Sequence, residues 1–347
     1  ATNAIKTKVL DKLKASAEIE IETFHSFCAD VLREEGRLIG IDPGFEILDP
    51  DDAKVVFHKY FGISPFYANR YVATIHTAKD FGIKIAQIKE YFKGLEEKLS
   101  DYCHDISKID EYADNLDLEL STMHLSPSNT PEQKKKSRER KNEIKSFLDV
   151  YSEFTKYKEF IDSWEKYDKL KNDKKYQDYA DLNFNVLMLF NKYGTKNFSM
   201  RYKYVIVDEF QDTNKIQFEI IEHLAAEHRN ITIVGDPNQS VYGFRGAYRE
   251  IFNNFMEAFK VNEKTDVFHL DKSYRSPNSV LKAAHKLITN NYEKAEECFL
   301  VQNTYNIEGN NITLIELKNS AEEARKIAEI VEQEIENGMP MHQICVL

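Results

Sequence analysis

Apolar and polar positions divide the chain into stretches with different rhythms. "AEIEIETFHSF" alternates with a period of two at Ile19 and Ile21 and reads as a strand entering a polar turn. "SFCADVLREEGRLIG" follows with Phe27, Val31, Leu32 and Leu38 at helical spacing, stopped near Gly40. From about Phe45 to Lys175 the pattern is helical. "DPDDAKVVFHKYFG", "IKIAQIKEYFKGLEEKL" and "EIKSFLDVYSEFTKYKEFIDSWEKYDKLKN" are amphipathic and charge-rich, and no strand is expected among them. "LSPSNTPEQKKK" is a turn-rich break inside this block. Strand and helix patterns then alternate. The strands are "KYVIVDE", "NITIVGDPNQS", "DVFHLDKSYRS", "NITLIEL" and "HQICVL". The helices between them are "NKIQFEIIEHLAAEH", "YREIFNNFMEAFK", "PNSVLKAAHKLITNNY" (with Pro at its first turn) and "SAEEARKIAEIVEQEIENG". This order predicts an α/β fold with a mainly parallel sheet, helices on both faces, and an all-helical insertion over 46–173.

Composition narrows the class. At 347 residues the chain is long enough for two or three domains. Apolar residues make up 42% and charged residues 30%, ordinary for a water-soluble globular protein. No segment approaches the ~18 uninterrupted apolar residues that cross a bilayer, and the first residues lack the apolar core of a secretory signal. Four separated cysteines without a C-x-x-C pair argue against zinc and iron–sulfur sites and fit a reducing, cytoplasmic setting. A net charge of −11 opposes a surface that grips nucleic acid everywhere, but it permits a local basic groove.

The candidate chemistry sits in "YVIVDEFQDTNKIQ", where a buried-strand pattern ends in Asp208 and Glu209 side by side. The next strand ends in "GDPNQS", about 25 residues on, a spacing that suits a strand–helix–strand crossover. Both ends then share the carboxyl edge where open parallel sheets bind ligands. Adjacent carboxylates repel and are costly to bury unless a cation relieves them. A magnesium ion carried by nucleotide phosphates would do so, with Asp208 on the metal and Glu209 orienting and deprotonating the attacking water. The plain alternative is that two acids end a strand and begin a turn.

The pair has company. "VDEFQDTN", "VGDPNQSVYGFRGA" and "LDKSYRSPNSVLKAA" resemble three successive motifs of the UvrD/Rep-type superfamily I DNA helicases. "ETFHSF" resembles that family's early DNA-contact motif, and "QDYADL" its acidic-aromatic motif before the "DE" strand. The resemblance implies two RecA-like domains of the P-loop NTPase type. The first would comprise 1–45 and 174–269, the helical subdomain 46–173, and the opening of the second domain 270–347. It implies ATP and Mg2+ as cofactors, bound in the cleft between the RecA-like domains. Gln239 would sense the γ-phosphate, with Asp236 in the same nucleotide-binding turn. Arg275 would be the arginine finger, and Tyr274 would stack on adenine. Tyr242 and Phe244 would stack on bases, Arg245 would bridge DNA and phosphate sites, and Thr23 and His25 would contact DNA phosphates. Phe244 stands where many members of the family carry Trp. The basic run "EQKKKSRERKNEIK" either touches duplex phosphates or is a solvated helix face.

No G-x-x-x-x-G-K-[S/T] loop occurs in the 347 residues. The expectation is a central piece of a longer helicase, lacking the first strand and loop and the last motifs. The intact protein would move 3′→5′ on single-stranded DNA and at junctions with duplex, alongside repair or replication proteins, and this piece alone would be inactive. An uncovered sheet edge would then favour self-association or reduced stability. Two other readings stay open: a helicase-derived binding module without catalysis, and the motor part of a recombination helicase–nuclease.

Overall fold

Side-chain oxygens open several of the helices. In the computed structural model, which describes residues 7, 19–123, 130–240, 250–292, 300–309 and 312–346, the hydroxyl of Thr23 accepts the Ser26 N–H and opens α1 (Phe24–Glu35). Asp49 accepts from Asp51 and Asp52 and, with Pro50 at the first position, opens α2 (Pro50–Phe61). Thr130 and Gln133 cap one another's backbone at the head of a 44-residue helix, and Asp178 and Asp181 do the same further on.

Contacts group the chain into two compact units, Ala1–Val261 and Asn262–Leu347. In the first, β1 (Glu46–Leu48) precedes α2, α3 (Pro65–Asp80), α4 (Ile85–Ser100), α5 (Ile109–Thr122) and the long α6 (Pro131–Lys174). Then come β2 (Tyr176–Asp178), α7 (Tyr179–Tyr193), the short α8 (Lys196–Ser199), β3 (Val205–Val207), α9 (Lys215–Ala225), β4 (Ile231–Ile233) and α10 (Ile251–Phe259). At 1.5 Å per residue α6 runs about 66 Å. Its inward positions serve two cores in succession. Phe147 and Phe154 pack with Leu99 and Ile109 of α4 and α5, while Trp164 and Tyr167 pack with Phe57 and Ile75 of α2 and α3. A third core joins α1, α7 and α9 through Cys28, Leu32, Phe190 and Ile220.

The helical block is rooted in a buried ionic cluster. Asp178 has no exposed surface and accepts from Lys171 Nζ at 2.7 Å and Tyr167 Oη at 3.0 Å. Asp181 accepts from Lys79 and from Lys171, both at 2.5 Å. Burial pushes the Asp178 carboxyl up, but the Lys171 and Lys79 ammonium groups outweigh it and hold it well below the usual range.

Strand pairing is parallel throughout the described residues, in three separate two-stranded ladders: β1–β2, β3–β4 and, in the second unit, β5 (Lys272–Ser273) with β6 (Gln302–Asn303). The expectation of one mainly parallel sheet is corrected on this point. The insertion is not bounded by helices alone, because β1 occupies 46–48 and pairs with β2. Ile19 and Ile21 are not in a strand; residues 19–22 in succession line a cavity of about 270 Å³ with Phe27, Phe198 and Tyr202. "NITLIEL" and "HQICVL" form no ladder in their described parts, and a 3-10 turn takes 341–343. These apolar runs take part in no strand pairing among the described residues, and a strand without a ladder leaves its N–H and C=O groups unpaired. In the second unit, α11 (Asn278–Ile288) starts after Pro277, which stands at the cap position just before the first turn. The helix α12 (Ser320–Glu336) is capped by Asn319.

Candidate functional site

β3 is three residues long, and the turn after it is pinned by an aromatic ring. Phe210 is fully buried, edge-on to Phe252 at 5.3 Å and Phe255 at 5.5 Å. Its N–H donates to the Val234 carbonyl at 2.9 Å, and Val234 N–H donates to the Val207 carbonyl at 2.8 Å, so the β3–β4 pairing continues past both strands. With Phe210 anchored inward, Asp208 and Glu209 are left exposed at the carboxyl end of β3. Glu209 has φ 52° and ψ 42°, a left-handed conformation costly for a residue with a Cβ and held by its surroundings. Asp208 Oδ1 accepts the Glu209 N–H at 3.0 Å.

The turn after β4 faces this one. Asp236 accepts the Asn238 N–H and the Gln239 Nε2 amide, each at 2.9 Å. Gln211 joins the two turns: its Nε2 donates to Glu209 Oε2 at 2.6 Å, and its Oε1 accepts the Asp236 N–H at 3.0 Å. Gly235 makes room for it, since a Cβ there would lie 2.6 Å from Gln211 Oε1. The structure thus brings Glu209, Asp236 and Gln239 into one hydrogen-bonded set, beside Asp208. Gln211 was not singled out from the sequence. The only signal was an amide two residues after the acid pair, too generic to act on.

Neither Asp208 nor Glu209 pairs with a lysine, arginine or histidine among the described residues, and no cluster of three or more ligating side chains occurs there. Two exposed carboxylates without a third ligand fit a cation that brings water and phosphate oxygens as most of its shell, which is how Mg2+ binds with nucleotides.

Thr23 and His25 lie together at the start of α1, in a groove of about 480 Å³ shared with Ser26, Arg33, Ile47 and Tyr179. Thr23 is the helix cap, so its hydroxyl already has a structural task. The His25 ring lies 4.8 Å from that of Tyr179. Burial and the neighbouring His76 lower the His25 pKa, favouring a neutral imidazole near pH 7. Tyr179 adds an exposed aromatic face that the sequence reading left unassigned within "QDYADL".

In the second unit Tyr274 and Arg275 follow β5 directly. Tyr274 is 70% exposed, with Tyr305 edge-on at 6.1 Å. The Arg275 N–H is held by Ser273 Oγ at 3.3 Å, while its guanidinium is exposed and makes no hydrogen bond or ion pair among the described residues. Buried Asn303 frames this loop by donating to the Ser276 carbonyl at 3.0 Å and accepting the Tyr305 N–H at 2.9 Å. Tyr242, Phe244 and Arg245 lie outside the described residues. In the basic run, Arg140 makes a two-pronged pair with Glu119, while Lys135 and Lys136 pair with Glu139 and Glu132.

Comparison with known families is decisive. Residues 1–260 match the UvrD/REP helicase N-terminal domain, and residues 268–347 match the UvrD-like helicase C-terminal domain. The chain belongs to the UvrD/REP helicase family. Its RecA-like α/β class follows, and the carboxylate turn and the Tyr274–Arg275 loop fall in the N-terminal and C-terminal matches respectively. Among relatives, a probable DNA helicase II homolog of Mycoplasma pneumoniae is 29% identical over 302 residues, 86% of this chain and 35% of that protein. A probable DNA helicase II homolog of Mycoplasma capricolum is 28% identical over 94% of this chain and 38% of its own length. The ATP-dependent DNA helicase PcrA of Staphylococcus aureus is 26% identical across 100% of this chain and 40% of its own. This UvrD/REP chain therefore spans well under half the length of these relatives. No helix among its described residues is long and apolar enough to cross a membrane.

Proposed function

We propose that the intact protein carrying this chain is an ATP-dependent DNA helicase that moves 3′→5′ along single-stranded DNA and opens duplex at junctions. The observation that carries the reading is the hydrogen-bonded set Glu209–Gln211–Asp236–Gln239 at the carboxyl ends of two adjacent parallel strands. A magnesium nucleotide bound there supplies the phosphoryl group and part of the charge that activates it. Asp208 holds the metal through its exposed carboxylate, and Glu209 takes the proton of the attacking water. Gln239 places its amide toward the γ-phosphate from the Asp236 turn. Arg275 supplies a planar fork for phosphate oxygens, and Tyr274 a face for adenine. The groove at Thr23, His25 and Tyr179 takes single-stranded DNA, with hydroxyl and imidazole on phosphate and the tyrosine ring on a base. In this reading 1–45 and 174–269 form the first RecA-like domain, 46–173 its helical subdomain, and 270–347 the start of the second.

The test is ATP turnover by the intact protein with single-stranded DNA present. Glu209→Gln lowers it by at least about 100-fold while DNA binding persists, the size expected for losing a general base. Retention of more than a tenth of the turnover removes Glu209 from the mechanism. Because no Gly-rich loop ending in Lys-Ser or Lys-Thr occurs in these 347 residues, the chain by itself is expected to bind DNA without turning over ATP.

A further inference from the structure

From the geometry of the β3–β4 edge we infer that Gln211 is a positioning residue, which holds the Glu209 carboxylate in place and ties its orientation to the turn carrying Gln239. The inference rests on the hydrolytic reading of that edge.

Gln211 is 3% exposed. Its amide has one consistent orientation. A carboxylate only accepts, so the group 2.6 Å from Glu209 Oε2 is the NH2; a backbone N–H only donates, so the group 3.0 Å from Asp236 N is the carbonyl oxygen. Both ends of the amide are therefore committed, one to each strand end. The Gln211 backbone carbonyl accepts the Ser240 hydroxyl at 3.4 Å, a further tie to the same turn. Glycine at 235 leaves the space this bridge needs. Gln211 also occupies one oxygen of Glu209, leaving the other to accept a proton. A displacement of the Asp236–Gln239 turn pulls on the Asp236 N–H and, through one rigid amide, on the carboxylate. Because hydrolysis is sensitive to misplacement of about 1 Å, such a link makes base alignment depend on the turn that meets the phosphate.

Two variants separate the bridge's ends. Gln211→Glu keeps the length and the acceptor for Asp236 N–H, but it replaces the donor to Glu209 with a second carboxylate that competes for the same proton. Gln211→Met keeps the length and loses both bonds. In the intact protein with saturating single-stranded DNA, Gln211→Glu lowers kcat about 10- to 100-fold and changes KM for ATP less than about threefold. Hydrogen exchange of the nucleotide-free chain gives a readout independent of turnover. The segment bearing Asp236 exchanges about tenfold faster in Gln211→Met and is unchanged in Gln211→Glu.

Retained kcat in Gln211→Glu overturns the proposal, as does a fall in kcat that merely tracks a fall in melting temperature. Equal exchange in wild type and Gln211→Met overturns the bridge itself. If Glu209→Gln leaves turnover intact, the hydrolytic reading fails instead; if Glu209→Gln abolishes turnover and the Gln211 variants are normal, only the positioning role fails.

Discussion

Two carboxylate pairs of the first unit, Asp178–Asp181 and Asp208–Glu209, are treated in opposite ways. Asp178 and Asp181 are buried where α3, α6 and α7 meet, and Lys79 and Lys171 answer their charge within the protein. Asp208 and Glu209 stand exposed at the end of β3 with no protein cation among the described residues. The first pair is complete and serves as a joint. The second has no counter-charge among the described residues, and in the proposed reading a phosphate-borne cation supplies it. What separates structure from function here is the ownership of the counter-charge rather than the presence of acids.

Removing a counter-charge should therefore hurt the first pair most. Lys171→Met leaves buried carboxylates uncompensated and is expected to cost about 3–5 kcal/mol in urea unfolding, whereas Asp208→Asn stays within about 0.5 kcal/mol. Similar losses for both variants would erase the contrast.

Asp80 offers an intermediate case. Burial pushes its carboxyl up to about 6, the charge of Asp178 adds to this, and His76 and the Asn214 amide oppose it. The folded chain holds this proton to higher pH than the unfolded one, so ionising Asp80 costs stability as pH rises from about 4 through about 6. Asp80→Asn is expected to stabilise the first unit by about 2 kcal/mol above neutral pH, with the gain gone near pH 4. A thermal-melt series against pH that shows a constant or negative difference counts against this account.

The smallest effect belongs to an exposed pair. Arg201 grips Glu34 with two hydrogen bonds of 2.6 and 3.1 Å, and the guanidinium holds that carboxyl below its usual range. Solvent screens both partners, so Glu34→Gln should cost under about 1 kcal/mol and less at high salt. A loss as large as that of Lys171→Met would show that burial is not what distinguishes the pairs.

Much of this was legible from local pattern. The helices of 50–61, 85–100 and 320–336, the parallel β3–β4 pairing and the turn placing Asp208 and Glu209 follow from periodicity, caps and motif spacing, which are properties of neighbouring residues. The strand expected at Ile19 and Ile21 fails because a period of two records only that alternate side chains are more enclosed, here half-buried against exposed, and that does not require a paired backbone. The short β1 was missed because three residues hold too little pattern to stand out beside a helical block.

By itself the order of residues determined most of the helices, the family and the place of the acid pair after β3, since each is written in contiguous stretches. Only the tertiary structure decided which polar groups meet. Gln211 between two strand ends, Tyr179 against His25, and Lys79 across 102 positions from Asp181 are encounters between distant segments. Hydrogen bonds and ion pairs depend on distance in space, and a sequence records only distance along the chain.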